Sequence, residues 1–129
     1  MSASLALVAL LVDDYDAAIA HYTGDLGFDL LEDTPRADGK RWVRVAPPGS
    51  QCALLLARAD GEQQRAAIGR QAGGRVGFFL HVRDFAATHA AMSARGVRFL
   101  EAPRHEAYGT VAVFEDRYGN RWDLLEPRA

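Results

Sequence analysis

The chain repeats itself, and the repeat restricts its fold more than any other feature. The segment VDDYDAAIAHYTGDLGFDLLED (residues 12–33) is matched by VRDFAATHAAMSARGVRFLEAP (82–103). Likewise WVRVAPPGSQCALLL (42–56) is matched by VAVFEDRYGNRWDLL (111–125). Val12, Asp14 and Gly49 recur 70 residues later as Val82, Asp84 and Gly119, whereas Gly27 and Gly96 are 69 apart, so one residue is lost before the second glycine. A fixed period of this length marks a supersecondary unit used twice, in which neither copy buries its apolar surface alone.

The first copy reads in order as follows. Leu5–Val12 is an apolar run expected to be a buried strand. Asp14 is placed to cap a helix running to Asp25, with Ala18, Ile19, Tyr22 and Leu26 at helical spacing, and Gly27 stops it. Strands are expected at Phe28–Leu31, Arg41–Val45 and Gln51–Ala57, separated by a polar turn at Thr34–Gly39 and by Pro47-Pro48-Gly49. The second copy gives a strand at Arg75–Val82, a helix from Asp84 to Arg95 ended by Gly96, a strand at Val97–Leu100, a polar loop at Glu101–Tyr108, and a closing hairpin. The hairpin joins Thr110–Phe114 to Arg121–Leu125 through Glu115–Asn120, and its last strand alternates Arg121 and Asp123 on one face with Trp122 and Leu124 on the other. Each copy is thus β-α-β-β-β. The expected fold is α+β, one domain over 1–129, with modules at 5–57 and 75–126 whose sheets curve around a cleft. The polar connector 58–74 is expected to hold a short helix near Gln63–Arg70.

Composition narrows the function classes. A net charge of −2 over 129 residues supplies no field for nucleic acid or an acidic membrane surface. Cys52 is the single cysteine, so no intramolecular disulfide forms, and its apolar surroundings suit a core thiol. No run approaches the roughly 20 apolar residues of a membrane span. No basic stretch precedes Leu5–Val12, so no signal peptide is expected and a cytoplasmic location is.

The duplicated unit resembles the vicinal oxygen chelate superfamily, which includes glyoxalase I, extradiol dioxygenases, and fosfomycin and bleomycin resistance proteins. The resemblance rests on Val12-Asp13-Asp14, His21-Tyr22, Leu26-Gly27-Phe28, Gly96-Val97-Arg98-Phe99 and Asp116 through Glu126, and covers nearly the whole chain. It implies the paired β-α-β-β-β fold and a homodimer. Metal-dependent members take ligands, usually His, Glu or Gln, from four strands. The positions here that match are Leu7, Ala53, Gly77 and Asp123, of which only Asp123 can hold a cation. His81, four residues beyond Gly77, adds at most one more donor. A specific site needs several convergent donors, so no metal and no other cofactor are expected.

The resemblance therefore implies a metal-free protein of the bleomycin resistance kind, which binds a small organic ligand in the cleft and sequesters it. The ligand residues expected are His81, Asp123 and Phe79 inside, Trp42 as a wall, and Arg104, Glu106 and Tyr108 over the mouth. Within the Glu101–Tyr108 loop two arrangements are open: Arg104 holding an anionic group of the ligand, or Arg104 paired internally with Glu101 or Glu106. The alternative function is an enzyme of the superfamily, a lyase, isomerase or dioxygenase-like catalyst. It would use His81, Glu106 and Asp123 for proton transfer, or a metal site completed in a dimer. His21 and His89 are assigned to packing or helix surface.

Overall fold

A computed structural model describes residues 2–129; Met1, part of the expected 1–129 domain, lies outside them. The chain is mixed α+β and divides into two compact units, one running to Ile68 and the other covering Gly69–Ala129. Each has its own four-strand path with one parallel pair and antiparallel neighbours.

In the first unit, β1 (Leu7–Val12) leads to α1 (Tyr15–Ala20), then β2 (Asp29–Pro35), β3 (Arg41–Ala46) and β4 (Ala53–Arg58), with sheet order β1-β4-β3-β2. Asp14, in an extended conformation, accepts from the Ala17 amide at 2.8 Å and so caps α1. The expected single helix to Asp25 changes character: His21–Asp25 is a π-turn, with the Leu26 amide reaching back five residues to the His21 carbonyl at 3.2 Å. The His21 ring bonds Asp25 across this turn at 2.8 Å. Gly27 then leaves the helix at φ +76°, and Gly96 does the same in the second unit at +88°. β2 runs four residues beyond the expected Leu31 and takes in Thr34 and Pro35, leaving Ala37–Gly39 as a 3₁₀ turn.

Register assigns the faces of this sheet. Leu10, Val12, Val43, Val45 and Leu56 are fully shielded from solvent on the face packed against α1. The alternate residues Leu7, Leu11, Ala53, Leu55, Trp42 and Arg44 occupy the other face. The strand expected to be wholly buried is only partly so, because Val8 is 38% exposed. After β4, α2 (Gly61–Ala67) packs against β1.

The second unit holds β5 (Val76–His81), α3 (Phe85–Ala94), β6 (Arg98–Phe99), β7 (Arg104–Glu106), β8 (Gly109–Glu115) and β9 (Arg121–Pro127). The path is β5-β9-β8-β6, with β7 pairing the other end of β8. Asp84 caps α3 by accepting from Ala87 at 3.0 Å, and Glu126 accepts from the Phe85 amide at 2.8 Å. On the helix side Phe78 stacks on Trp122 at 4.7 Å and Trp122 on Phe114 at 5.8 Å. His89 lies between Phe85 and Phe99 at 5.4 and 4.2 Å, a packing role as expected.

The β8–β9 turn is held by a buried carboxylate. Asp116 accepts from the backbone amides of Tyr118 and Asn120, from the Asn120 side-chain amide, and from the Trp122 indole, at 2.9–3.2 Å. Asp116 and Asn120 are the buried polar residues among those described. Removing the carboxylate strands several buried donors at once, each worth about 1–3 kcal/mol when left unpaired. Asp116→Ala is therefore expected to lower unfolding free energy by about 3 kcal/mol or more, read from urea melts at constant m-value.

Candidate functional site

The interesting surface lies on the second sheet, on the face turned away from α3. Pairing places Phe79 opposite Asp123, and Asp123 opposite Val113. His81 pairs with Leu125, and Leu125 with Val111. Phe79, His81, Asp123, Leu125, Val111 and Val113 therefore share one face, while Phe78, Leu80, Trp122 and Leu124 share the other. Exposure follows this parity: Phe79 is 59% exposed and His81 is exposed, whereas Leu80 is 8% exposed.

The pairing of Asp123 departs from the repeat. Leu7 does sit opposite Ala53 in the first sheet. The repeat would put Gly77 opposite Asp123, but a bulge between Val76 and Phe78 shifts β5, and Phe79 takes that place. Gly77 does not open space either. A Cβ built on it would meet the Ala72 methyl at 2.7 Å, so the segment before β5 fills the room expected there.

The loop expected at Glu101–Tyr108 contains β7, which corrects that expectation. The edge strand beside β8 is broken in two: β6 pairs with Phe114 and Glu115, and β7 with Gly109–Val111. Between them lies Pro103, which has no amide hydrogen to offer a ladder. The Val113 amide faces this gap, and the Glu101 carboxylate accepts from it at 2.9 Å. The same carboxylate binds Arg104 in a fork, Nε to Oε1 at 2.8 Å and Nη2 to Oε2 at 3.1 Å. Arg104 Nη1 also donates to Glu106 at 2.9 Å, and Tyr108 lies within hydrogen-bonding reach of the guanidinium. Of the two arrangements open for this loop, the structure has the internal pairing, with both glutamates. Arg104 holds Glu101 below the usual carboxylate range, and the two glutamates push Arg104 up.

Asp123 is the converse case. It is half-buried, and its side chain has no hydrogen bond or ion pair among the described residues. Burial pushes its carboxyl above the ordinary aspartate value, opposed by the charge of Arg104 and reinforced by that of Glu101. The face thus presents a carboxylate without a protein partner among the described residues beside an exposed aromatic ring.

The other expected residues lie elsewhere. Trp42 lines an open pocket of about 750 Å³ in the first unit with Arg36, Lys40, Ala57, Arg58 and Asp60. The Arg36 guanidinium sits over its ring at 4.9 Å. Glu106 borders a separate opening of about 740 Å³ with Arg83, His105, Thr110 and Arg128. Sequence reasoning foresaw the Arg104–Glu101 pair but not the bond from the Val113 amide to Glu101. No group of three or more His, Cys, Asp or Glu positioned to hold a metal ion occurs among the described residues. No helix among them is long and apolar enough to cross a membrane.

Comparison with known proteins agrees with this architecture. The family model described as Glyoxalase/Bleomycin resistance protein/Dioxygenase superfamily matches residues 4–124. The chain belongs to that superfamily, as the repeated motifs implied. An uncharacterized protein of Shewanella frigidimarina (strain NCIMB 400) is 52% identical over 128 residues, 98% of this chain and 95% of that protein. Among solved structures, UcmS2 matches with a TM-score of 0.84 at 32% identity, over 98% of this chain and 99% of its own. TnmS3, described as an antibiotic binding protein from Streptomyces sp. CB03234, matches at 0.79 with 30% identity over 98% of each chain.

The Glu101 contacts yield a prediction. Glu101→Ala removes the acceptor of the Val113 amide and the main partner of Arg104, and is expected to cost about 1–3 kcal/mol at neutral pH. Because the folded state lowers the Glu101 pKa, this stability is present above the unfolded value of 4.5 and is lost as pH falls through the folded value. Chemical denaturation of both proteins at neutral pH and at about pH 3 checks this; the difference should shrink in acid.

Proposed function

We propose that this chain binds a small organic molecule on the open face of the second sheet and sequesters it without chemical change. The observation that carries the reading is the pairing of exposed Phe79 with half-buried Asp123, which has no protein partner among the described residues, on a face otherwise lined by Val113 and Leu125. Such a face suits an apolar ligand body fixed by few polar anchors. A solved structure 30% identical in sequence is described as an antibiotic binding protein, which supports the binding class without naming this ligand. Asp123, His81 and Phe79 contact the ligand in this reading. Arg104, Glu106 and Tyr108 form a pre-paired rim, and Trp42 contributes a separate aromatic surface.

The protein works without a metal in this proposal. The four positions that match the superfamily's ligands carry Leu7, Ala53, Gly77 and Asp123, and three of these have no donor side chain. It is also proposed to be a cytoplasmic homodimer, since the mostly exposed edge strand β2, with Leu30 and Leu31 at 44% and 45% exposure, calls for cover. Light scattering should give twice the chain mass, and a monomer at micromolar concentration would contradict the dimer.

One observation favours a catalytic alternative: a carboxyl raised by burial, as Asp123 is, suits proton transfer, with His81 on the same face. Glu106 suits it less, being held by Arg104. The discriminating experiment is mass spectrometry of small molecules co-purifying with the native protein, followed by incubation with each. Stoichiometric retention of an unaltered compound is expected. Turnover abolished by His81→Ala or Asp123→Asn would establish the alternative. Elemental analysis should find no stoichiometric transition metal; about one per chain, lost on Asp123→Ala, would overturn the metal-free reading.

A further inference from the structure

The chemical class of the ligand is written in the charge balance around Asp123. This inference rests on the binding reading above and deepens it. Arg104 is the cation whose charge reaches Asp123, and it already carries two ion pairs, a fork to Glu101 and a single bond to Glu106. Two carboxylates, Glu101 and Glu106, bond this guanidinium, and Asp123 feels its charge without bonding it. Arg98, on the same face, is paired with Glu115 at 2.9 Å. Arg121, two residues before Asp123, is exposed and makes no ion pair among the described residues. An anionic group brought to Asp123 would meet its carboxylate; Arg104 could answer it only by leaving Glu101, and Arg121, exposed on the same face, is the cation open to it.

We infer that the open face of the second sheet recognises a protonated amine on a flat apolar or aromatic body, with the ammonium donating to Asp123 and the body lying against Phe79 and Val113. Three features of the face fit that occupant. Asp123 is an acceptor with its lone pairs unused. Phe79, directly opposite it, is a large aromatic surface left 59% exposed, and an aromatic face attracts a cation as well as an apolar body. Val113, on the other side, offers an apolar floor and has its amide already satisfied by Glu101. A charge-assisted bond from an ammonium to a partly desolvated carboxylate is among the stronger single contacts available. Glu101 and Glu106 add negative potential nearby without being consumed by the ligand.

The test uses three matched probes: 2-naphthylmethylammonium, 2-naphthylmethanol and 2-naphthoate. Each is titrated into the full chain at neutral pH and followed by amide shifts in a nitrogen-15 spectrum. The ammonium should bind tightest, with shifts concentrated at Phe79, Val113 and Asp123. Asp123→Asn should weaken the ammonium about tenfold or more while changing the alcohol little. Asp123 makes no side-chain hydrogen bond, so this variant is expected to fold, which its spectrum verifies. Equal binding of all three on this face, or preference for the carboxylate, would overturn the cation inference and leave the binding face standing. Failure of every probe to shift this face at millimolar concentration would overturn the inference and the proposed site together.

Discussion

Each unit has a four-strand sheet path with a helix, α1 or α3, packed on one side, and the large buried aliphatic and aromatic side chains concentrate on that side. That one-sided packing organises everything else. Leu10, Val12, Val43, Val45 and Leu56 fill the sealed side of the first sheet, and Phe78, Phe114, Trp122 and Leu124 that of the second. The sequence must then place on the opposite side residues that tolerate another environment. In the second sheet these are Phe79, His81, Asp123 and Leu125, a mixture of aromatic, polar and aliphatic groups that no folding requirement explains. Function is most economically sought there, where a half-buried carboxylate without a protein partner among the described residues lies beside an exposed aromatic ring.

The electrostatics of this face follow from a defect in the edge strand. Pro103 interrupts pairing with β8, the Val113 amide is left facing the gap, and Glu101 supplies the missing acceptor. Having been drawn to that position, Glu101 captures Arg104, and Glu106 completes the pairing. A local repair of backbone hydrogen bonding thus decides that Arg104, the cation whose charge reaches Asp123, is already paired with glutamates. In the first unit the edge stays one strand, β2 from Asp29 to Pro35, with a bulge between Leu30 and Glu32. Both edge strands carry ion pairs, Glu32 with Arg44 and Asp33 with Arg41 on β2, but only in the second unit is the edge strand split in two.

Much of this was legible in the residues. The 70-residue period gave the two modules, Asp14 and Asp84 marked the helix starts, and strand parity placed Phe79 and His81 on one face with Asp123. The misses have physical causes. Helical spacing cannot tell a bond reaching four residues back from one reaching five, so the π-turn at His21–Asp25 is invisible in the pattern. A three-residue polar strand such as Arg104–Glu106 shows no alternation above its surroundings. The bulge before Phe78 shifts register without any proline or turn signal, so Phe79 stands opposite Asp123 where the repeat would put Gly77. Asp116 read as a turn residue, but its buried bonds to Asn120 and Trp122 depend on a fold-back that spacing alone does not reveal.

The account turns on Asp123 being a carboxylate that burial disfavours and no neighbour satisfies. Carbon-13 NMR of the side-chain carboxyl across an acid titration tests this directly. The account predicts that Asp123 titrates above the ordinary aspartate value of 3.8 in the unliganded protein, and that Arg104→Ala raises it further by removing the one opposing charge. A carboxyl titrating at or below that value, or one that does not move when Arg104 is removed, would mean that Asp123 already has a partner and that the face is not waiting for one.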